Sequence, residues 1–301
     1  MAAPSLPAGV QRTGTKLDEI LAVKQREIAD LRSRRSLASL RADAEQSPYE
    51  PVDFAAALRR RPNDHPPRLA VIAEVKRASP SAGTIAADID SVAVARAYVD
   101  AGANALSVLT DRDFFRGSNE TLQSIRDHLT TACSLPAGRS RPPVLRKDFL
   151  IDEAQIYEAR AIGADAVLLI AECLEASRLR DLHQLARSLG MQTLIELYEA
   201  ANLPAVLAAE PSVVGVNNRD LRTFTVDIEH SRRLRAEVPP EIVFVSESGL
   251  ATGEQTAPLI AAGVDAILVG ETLMKSDDVA STLADLATGG KPPESDAAAP
   301  V

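Results

Sequence analysis

The chain has 301 residues, 46% of them hydrophobic and 3% aromatic, apolar material for one large α/β domain or two small ones. Acidic residues outnumber basic ones, 42 to 33, for a net charge of -9. This excludes a general nucleic-acid binder, because phosphate neutralisation needs a basic face.

Cys133 and Cys173 have neither metal-ligand spacing nor a disulfide framework, which suits a reducing compartment. No apolar run of about 18 residues marks a membrane span, and Met1–Gly14 carries no signal-peptide core, so the expected location is cytoplasmic. Residues 1–15 read as a flexible N-terminus. A helix is predicted over Lys16–Arg34, where Leu17, Ile20, Leu21, Ile28 and Leu31 share one face and Thr15 is the expected N-cap. Ser36–Pro51 reads as a polar linker with one short helical piece, and Asp53–Arg60 as a short helix capped by Asp53. Arg61–Pro67, with three prolines, reads as loop. Residues 16–67 thus form an N-terminal helical extension, readable as a lid or as a plug beside a site.

A repeat begins at Leu69. Gly102-Ala-Asn-Ala-Leu-Ser-Val-Leu-Thr110, Gly163-Ala-Asp-Ala-Val-Leu-Leu-Ile-Ala171 and Gly263-Val-Asp-Ala-Ile-Leu-Val-Gly270 each follow an amphipathic helical pattern. Each places glycine at a helix C-terminus and then enters an apolar strand with no polar face. Eight strands are predicted: Leu69–Lys76, Ala105–Thr110, Val144–Lys147, Ala166–Ile170, Gln192–Glu196, Val213–Asn217, Ile242–Ser246 and Ala266–Val269. Asp152 with Gln155 and Thr252 with Gln255 are capping-box starts for helices between them. The pattern predicts an α/β fold, a (β/α)8 TIM barrel over 68–288, with 289–301 a disordered tail. A doubly wound sheet is the rival, but no strand has the mixed polarity of an edge and no Gly-x-Gly-x-x-Gly follows the first strand.

The polar residues gather where a barrel puts its chemistry, at strand C-terminal ends. Glu74 and Lys76 stand two residues apart and face the same way, and Lys147, Glu196, Asn217 and Ser248 follow on later strands. The lysines suit acid catalysis, anion binding or Schiff-base chemistry, or simply neutralise Glu74 and Glu196. Asn217 suits a substrate donor or a turn cap, and Arg219 a ligand contact or a solvated loop residue. Ser248-Gly249 and Gly270-Glu271 offer backbone N–H groups to a phosphate, or serve only as tight turns. Phe114-Phe115 either covers a planar ligand or packs under its own loop. None of His65, His128, His183 and His230 ends a strand, so no metal site is expected. Cys173 suits a packing role.

Val71-Ile-Ala-Glu-Val-Lys-Arg-Ala-Ser-Pro-Ser81, Leu106-Ser-Val-Leu-Thr-Asp111 with Phe114-Phe115-Arg-Gly-Ser118, Leu145-Arg-Lys-Asp-Phe149, Ala166-Val-Leu-Leu-Ile170, Gly215-Val-Asn-Asn-Arg-Asp-Leu221 and Ser246-Glu-Ser-Gly-Leu250 occur in one order. Together they resemble the indole-3-glycerol-phosphate synthases, over about Leu17 to Met274. The resemblance implies ring closure with decarboxylation and dehydration of 1-(2-carboxyphenylamino)-1-deoxyribulose 5-phosphate, without metal or organic cofactor. It implies Lys147 as the acid for ring closure and Lys76 as a binder of the substrate's acidic groups. Glu74 and Glu196 are implied as proton-transfer and cation-stabilising carboxylates, and Asn217 and Ser248 as positioning residues. Ser248, Gly249, Gly270 and Glu271 match the phosphate loop, with the Glu271 side chain expected to turn away. Ser79, Phe115 and Arg219 complete the expected substrate-binding set. The expected partner is this phosphorylated small molecule, with no nucleic acid and no membrane, for a monomer or weak homo-oligomer. Another phosphosugar barrel enzyme, an isomerase or epimerase, and a non-catalytic phosphosugar-binding protein are the alternatives.

Overall fold

The computed structural model describes residues 6–60, 67–79, 83–84, 89–131 and 141–290, with only the backbone of Ser79 and Thr84. His65, the Pro80–Ser81 turn, Cys133 and residues 291–301 lie outside this set. Eight strands form the barrel: β1 Ala70–Val75, β2 Ala105–Leu109, β3 Val144–Lys147, β4 Ala166–Ile170, β5 Gln192–Leu197, β6 Val213–Asn217, β7 Val243–Glu247 and β8 Ala266–Val269. Each pairs in parallel with the next. Then β8 returns to β1 in the register Ala70↔Ala266 to Ala73↔Val269, so the sheet is a closed barrel. The strands are buried almost throughout because side chains fill the interior and helices cover the outside, which is why their sequences do not alternate in polarity.

The three repeats share one device at the N-terminal end of the barrel. Gly102, Gly163 and Gly263 take left-handed φ values of 94°, 89° and 81° and release the chain from the preceding helix. Two residues later an Asn or Asp side chain accepts a backbone N–H from the neighbouring strand. Asn104 Oδ1 takes Val71 at 3.0 Å, Asp165 Oδ2 takes Val144 at 2.7 Å and Asp265 Oδ2 takes Phe244 at 3.0 Å. Donors that a closed sheet would otherwise leave unpaired at its rim are thereby satisfied. Asp165 also holds the Arg141 guanidinium through two bonds of 2.6 Å.

Among its described residues the extension has three helices, α1 Leu17–Arg34, α2 Leu37–Glu45 and α3 Phe54–Leu58. Thr15 is not the N-cap of α1: that position is Lys16, and Thr15 Oγ1 instead accepts the Leu17 N–H at 3.2 Å. The start is fixed from within, where the Asp18 carboxylate accepts the N–H groups of Thr13 at 2.7 Å and Gly14 at 3.1 Å. Ser36 and Asp53 cap α2 and α3 through Ser39 N–H and Ala56 N–H. Helix α2 packs Leu40 and Ala44 on Ala154 and Tyr157. Helix α3 buries Phe54 and Leu58 near the N-terminal end of the barrel, with Ala55 N–H bonded to Gln192 Oε1 at 2.7 Å. Both predicted capping boxes are formed, at Asp152/Gln155 and Thr252/Gln255. Ahead of α1, Val10 is buried and bridges Leu174. Among the described residues, no helix is long and apolar enough to cross a membrane.

Candidate active site

The C-terminal ends of the strands surround a cavity of about 570 Å³. Because side chains alternate along a strand, one parity of each strand faces it. On β1 and just beyond it, Glu74 and Lys76 point inward and pair at 2.9 Å, and Ser107 Oγ on β2 donates to Glu74 Oε2 at 3.5 Å. Burial alone would raise the Glu74 carboxyl. The Lys76 and Lys147 charges outweigh it and hold the group below the ordinary carboxylate range.

Across the mouth, Lys147 Nζ stands 3.2 Å from Glu196 Oε2 and 3.2 Å from Glu247 Oε2. Burial favours the neutral amine, but Glu196, Glu247 and Glu74 together bind its proton more tightly than an ordinary lysine does. Asn217 Nδ2 donates to Glu196 Oε1 at 3.2 Å, so Glu196 is held between an amide and an ammonium. Glu247 is pushed up to about 8 by burial, against the pull of Lys147 and with the repulsion of Glu196. Two ammoniums and three carboxylates therefore share one ring, which is charge-balanced when Glu247 keeps a proton.

Two glycines make room for this ring. A Cβ on Gly215 of β6 would sit 2.2 Å from Glu247 Oε1, and one on Gly270 would sit 2.5 Å from Glu74 Oε1. Gly270 is thus a space-making residue beside the Glu74–Lys76 pair as well as a lining residue at the turn after β8.

The cavity has two unlike halves. On one side the turn after β7 puts Ser248 and Gly249 successively in the left-handed region, with φ of 72° and 82°. Asn218 holds this turn by donating to Ser248 O and Ser246 Oγ, each at 3.1 Å, so it is a structural residue. Lys76, Arg219 and Lys275 supply positive charge here. The Glu271 carboxylate is engaged by Lys275 at 2.6 Å within its own helical turn. The other half is apolar. Phe115 and Phe149 lie with ring centroids 6.0 Å apart, and α1 contributes Leu17 and Ile20 to the cavity lining. Phe114 instead packs on the core beneath Lys16, so of the two adjacent phenylalanines Phe115 lines the cavity and Phe114 does not.

Of the expected site residues, Glu74, Lys76, Lys147, Glu196, Asn217, Ser248, Phe115, Arg219, Gly249, Gly270 and Glu271 all line this one cavity. Ser79 lies in the short hairpin Ala78–Ser79 with Gly83–Thr84. The cavity also holds Glu247, Phe149, Phe224 and Lys275, which sequence reasoning did not select. For Glu247 a signal exists: it follows Val243 and Val245 in the inward parity of β7, and Gly215 interrupts the facing strand. Cys173 is buried packing, its thiol pushed up by burial. His183 is buried and bonded to Thr193 Oγ1 at 2.7 Å. Among the described residues, no group of three or more His, Cys, Asp or Glu side chains is placed to hold a metal ion.

Fold and site together define a (β/α)8-barrel protein with a ring of paired lysines and glutamates at the C-terminal mouth. Its outline resembles the thiamine phosphate pyrophosphorylase of Pyrococcus furiosus, with a TM-score of 0.54 at 16% identity over 78% of this chain and 96% of that one, a likeness of fold alone. The profile of the indole-3-glycerol phosphate synthase family matches residues 17–286. The indole-3-glycerol phosphate synthase of Rhodopirellula baltica is 46% identical over 88% of this chain and 96% of its own length. That of Chloroherpeton thalassium is 44% identical over 89% and 97%. The chain belongs to the indole-3-glycerol phosphate synthase family, decarboxylating lyases of tryptophan biosynthesis.

Proposed function

We propose that this chain converts 1-(2-carboxyphenylamino)-1-deoxyribulose 5-phosphate to indole-3-glycerol phosphate, carbon dioxide and water, with Lys147 as the acid for ring closure. The observation that carries the reading is the Lys147 ammonium held within 3.2 Å of both Glu196 and Glu247, in a cavity that is apolar on one side and cationic on the other. An anthranilate ring suits the Phe115–Phe149 wall. A phosphate suits the Ser248-Gly249 turn with Lys76, Arg219 and Lys275, while Gly270 and Glu271 offer only backbone to it.

Attack of the aromatic ring carbon on the ketone turns the ketone oxygen into an alkoxide. That oxygen is far more basic than a carboxylate, so it takes the proton that Glu196 and Glu247 hold on Lys147 in the resting enzyme. Asn217 keeps Glu196, and hence Lys147, in register. The ring system formed is cationic, and Glu74 and Glu196 stabilise it electrostatically. Carbon dioxide leaves and restores aromatic electron density. Loss of the new hydroxyl as water then needs an acid, Lys76 or the reprotonated Lys147, and a base, for which Glu74 stands 2.9 Å from Lys76. The same reading has the enzyme act in the cytoplasm on a free small molecule, as a monomer or weak homo-oligomer.

The test is a fluorescence time course of indole formation from this substrate, with carbon dioxide release measured in parallel. Lys147→Ala is expected to lower kcat by about 10²–10⁴-fold, the usual worth of a positioned acid, with KM nearly unchanged. Near-normal turnover of that variant would remove Lys147 from its role. Absence of both products with the wild-type chain would remove the reaction.

A further inference from the structure

Helix α1 presents an apolar stripe to the barrel with one cation in it. Leu17, Ile20, Leu21 and Ile28 are buried, and Lys24 on the same face is 1% exposed. An ammonium is tolerated at that depth only if it is fully engaged. Its Nζ is 2.8 Å from Asp111 Oδ2, 2.9 Å from Asp148 Oδ1 and 2.8 Å from Glu27 Oε2. Burial works against its charge, and Asp148 and Asp111 outweigh that, so the proton is bound more tightly than usual.

Both aspartates lead into the apolar half of the cavity. Asp111, just beyond β2, accepts the backbone N–H of Phe114 at 2.8 Å and of Phe115 at 3.2 Å. Asp148 is covalently next to Lys147 and accepts the N–H of Phe149 at 2.8 Å. Its second oxygen accepts from Thr110 Oγ1 at 2.6 Å, and Thr110 Oγ1 is bonded in turn by Arg146 Nε at 3.1 Å. One ammonium thus grips two carboxylates, and those carboxylates fix the backbones that carry Phe115, Phe149 and the chain beside Lys147. The helix that supplies Lys24 also supplies Leu17 and Ile20 to the lining of the cavity.

We propose that Lys24 is a positioning residue for the reaction: by clasping Asp111 and Asp148 at once, it sets the aromatic wall and the adjoining Lys147 against the substrate, and so makes α1 part of the active site. This rests on the reading of the apolar half as the compartment for the substrate's anthranilate ring. The phosphate half contains no member of the clasp, so the two halves respond separately.

The probe is the reduced substrate analogue 1-(2-carboxyphenylamino)-1-deoxyribitol 5-phosphate, whose anthranilate emission is read cleanly because the chain has no tryptophan. Inorganic phosphate, as a competitor, reads the other half. Lys24→Met and Asp111→Asn are compared with wild type well below their unfolding midpoints. For Lys24→Met, probe Kd is expected to rise about tenfold, the worth of a lost aromatic contact. Its kcat is expected to fall about a hundredfold, as a ~1 Å misplacement brings. The phosphate inhibition constant stays within about twofold by the same separation of halves. Asp111→Asn keeps the acceptor for the phenylalanine N–H groups and shifts probe Kd and kcat in the same direction by less; it carries the test if Lys24→Met does not fold. Probe Kd and kcat both unchanged in the folded variants would overturn the proposal and leave the clasp a stability element. Phosphate inhibition weakening in step with probe binding would overturn it too, as a general collapse of the site. Failure of the functional reading is seen separately, in wild-type protein that binds the probe and turns nothing over.

Discussion

Gly215→Ala isolates the contribution of the Glu247 carboxylate without touching any charged group. The backbone at Gly215 lies outside the left-handed region, so alanine is conformationally acceptable there. Its Cβ would nevertheless sit 2.2 Å from Glu247 Oε1 and 3.1 Å from Leu194 Cδ1. Strand β6 is paired on both sides and cannot retreat, so the carboxylate oxygen must move by more than ~1 Å to reach ordinary van der Waals separation, which begins at 3.4 Å. That displacement disturbs the contact of Glu247 with Lys147 Nζ, now 3.2 Å distant. A misplacement of that size costs up to about 100-fold in rate, or roughly 2.7 kcal/mol of activation free energy. The assay is steady-state indole formation with a thermal melt in parallel. The expected result is a fall in kcat of about 30- to 100-fold. The melting temperature should drop by only a few degrees, since overpacking by one methyl costs about 1–3 kcal/mol. Shortening the acid in Gly215→Ala/Glu247→Asp should recover part of the loss. A single variant with kcat within threefold of wild type would refute the argument that Glu247 must stand where it does.

Two further outcomes follow from the charges at opposite ends of the barrel. Glu247 has a raised pKa in the folded chain, so its contribution to stability is present below the ordinary carboxylate range and is lost as pH rises through about 8. The melting temperature of Glu247→Gln should therefore gain on wild type across that window, and parallel melting curves against pH would show that Glu247 does not hold its proton. At the N-terminal end, Asp165→Ala takes the carboxylate partner from the Arg141 guanidinium and the acceptor from the Val144 N–H, and should destabilise by about 3–5 kcal/mol. Below the melting transition its kcat should match wild type, because that end carries stability rather than chemistry; a lowered kcat in folded protein would contradict this division.

The strands were legible because a strand buried on both faces must be apolar throughout, and their limits came within a residue at each end. That residue mattered once. Ending the seventh strand at Ser246 left Glu247 in a loop, whereas β7 runs through Glu247 and turns it inward, its carboxylate lying over Gly215. Lys76, Lys147, Glu196 and Asn217 were legible because they punctuate apolar runs at strand ends, where only chemistry or pairing explains a charge. Lys24 was not, because a lysine in a helix is ordinarily solvated; the contradiction is visible only when the stripe around it is known to be buried. Phe149 and Phe224 belong to loops, and nothing local to a loop residue says which way it faces. The role of Gly270 as space for Glu74 depends on the pairing of the first strand with the last, which no local pattern encodes.

That pairing has a consequence for how the molecule comes into being. The barrel is sealed by residues about two hundred positions apart, so a chain emerging from the ribosome holds Glu74, Lys76 and Lys147 long before β8 can close beside them. A break at Leu189–Met191, between the helix Ala176–Ser188 and β5, divides the charged ring into Glu74, Lys76 and Lys147 on one fragment and Glu196 and Glu247 on the other. Neither piece holds Lys147 together with Glu196 and Glu247. Activity from the two pieces together would then report the instant of barrel closure, with the enzyme's own product as the signal.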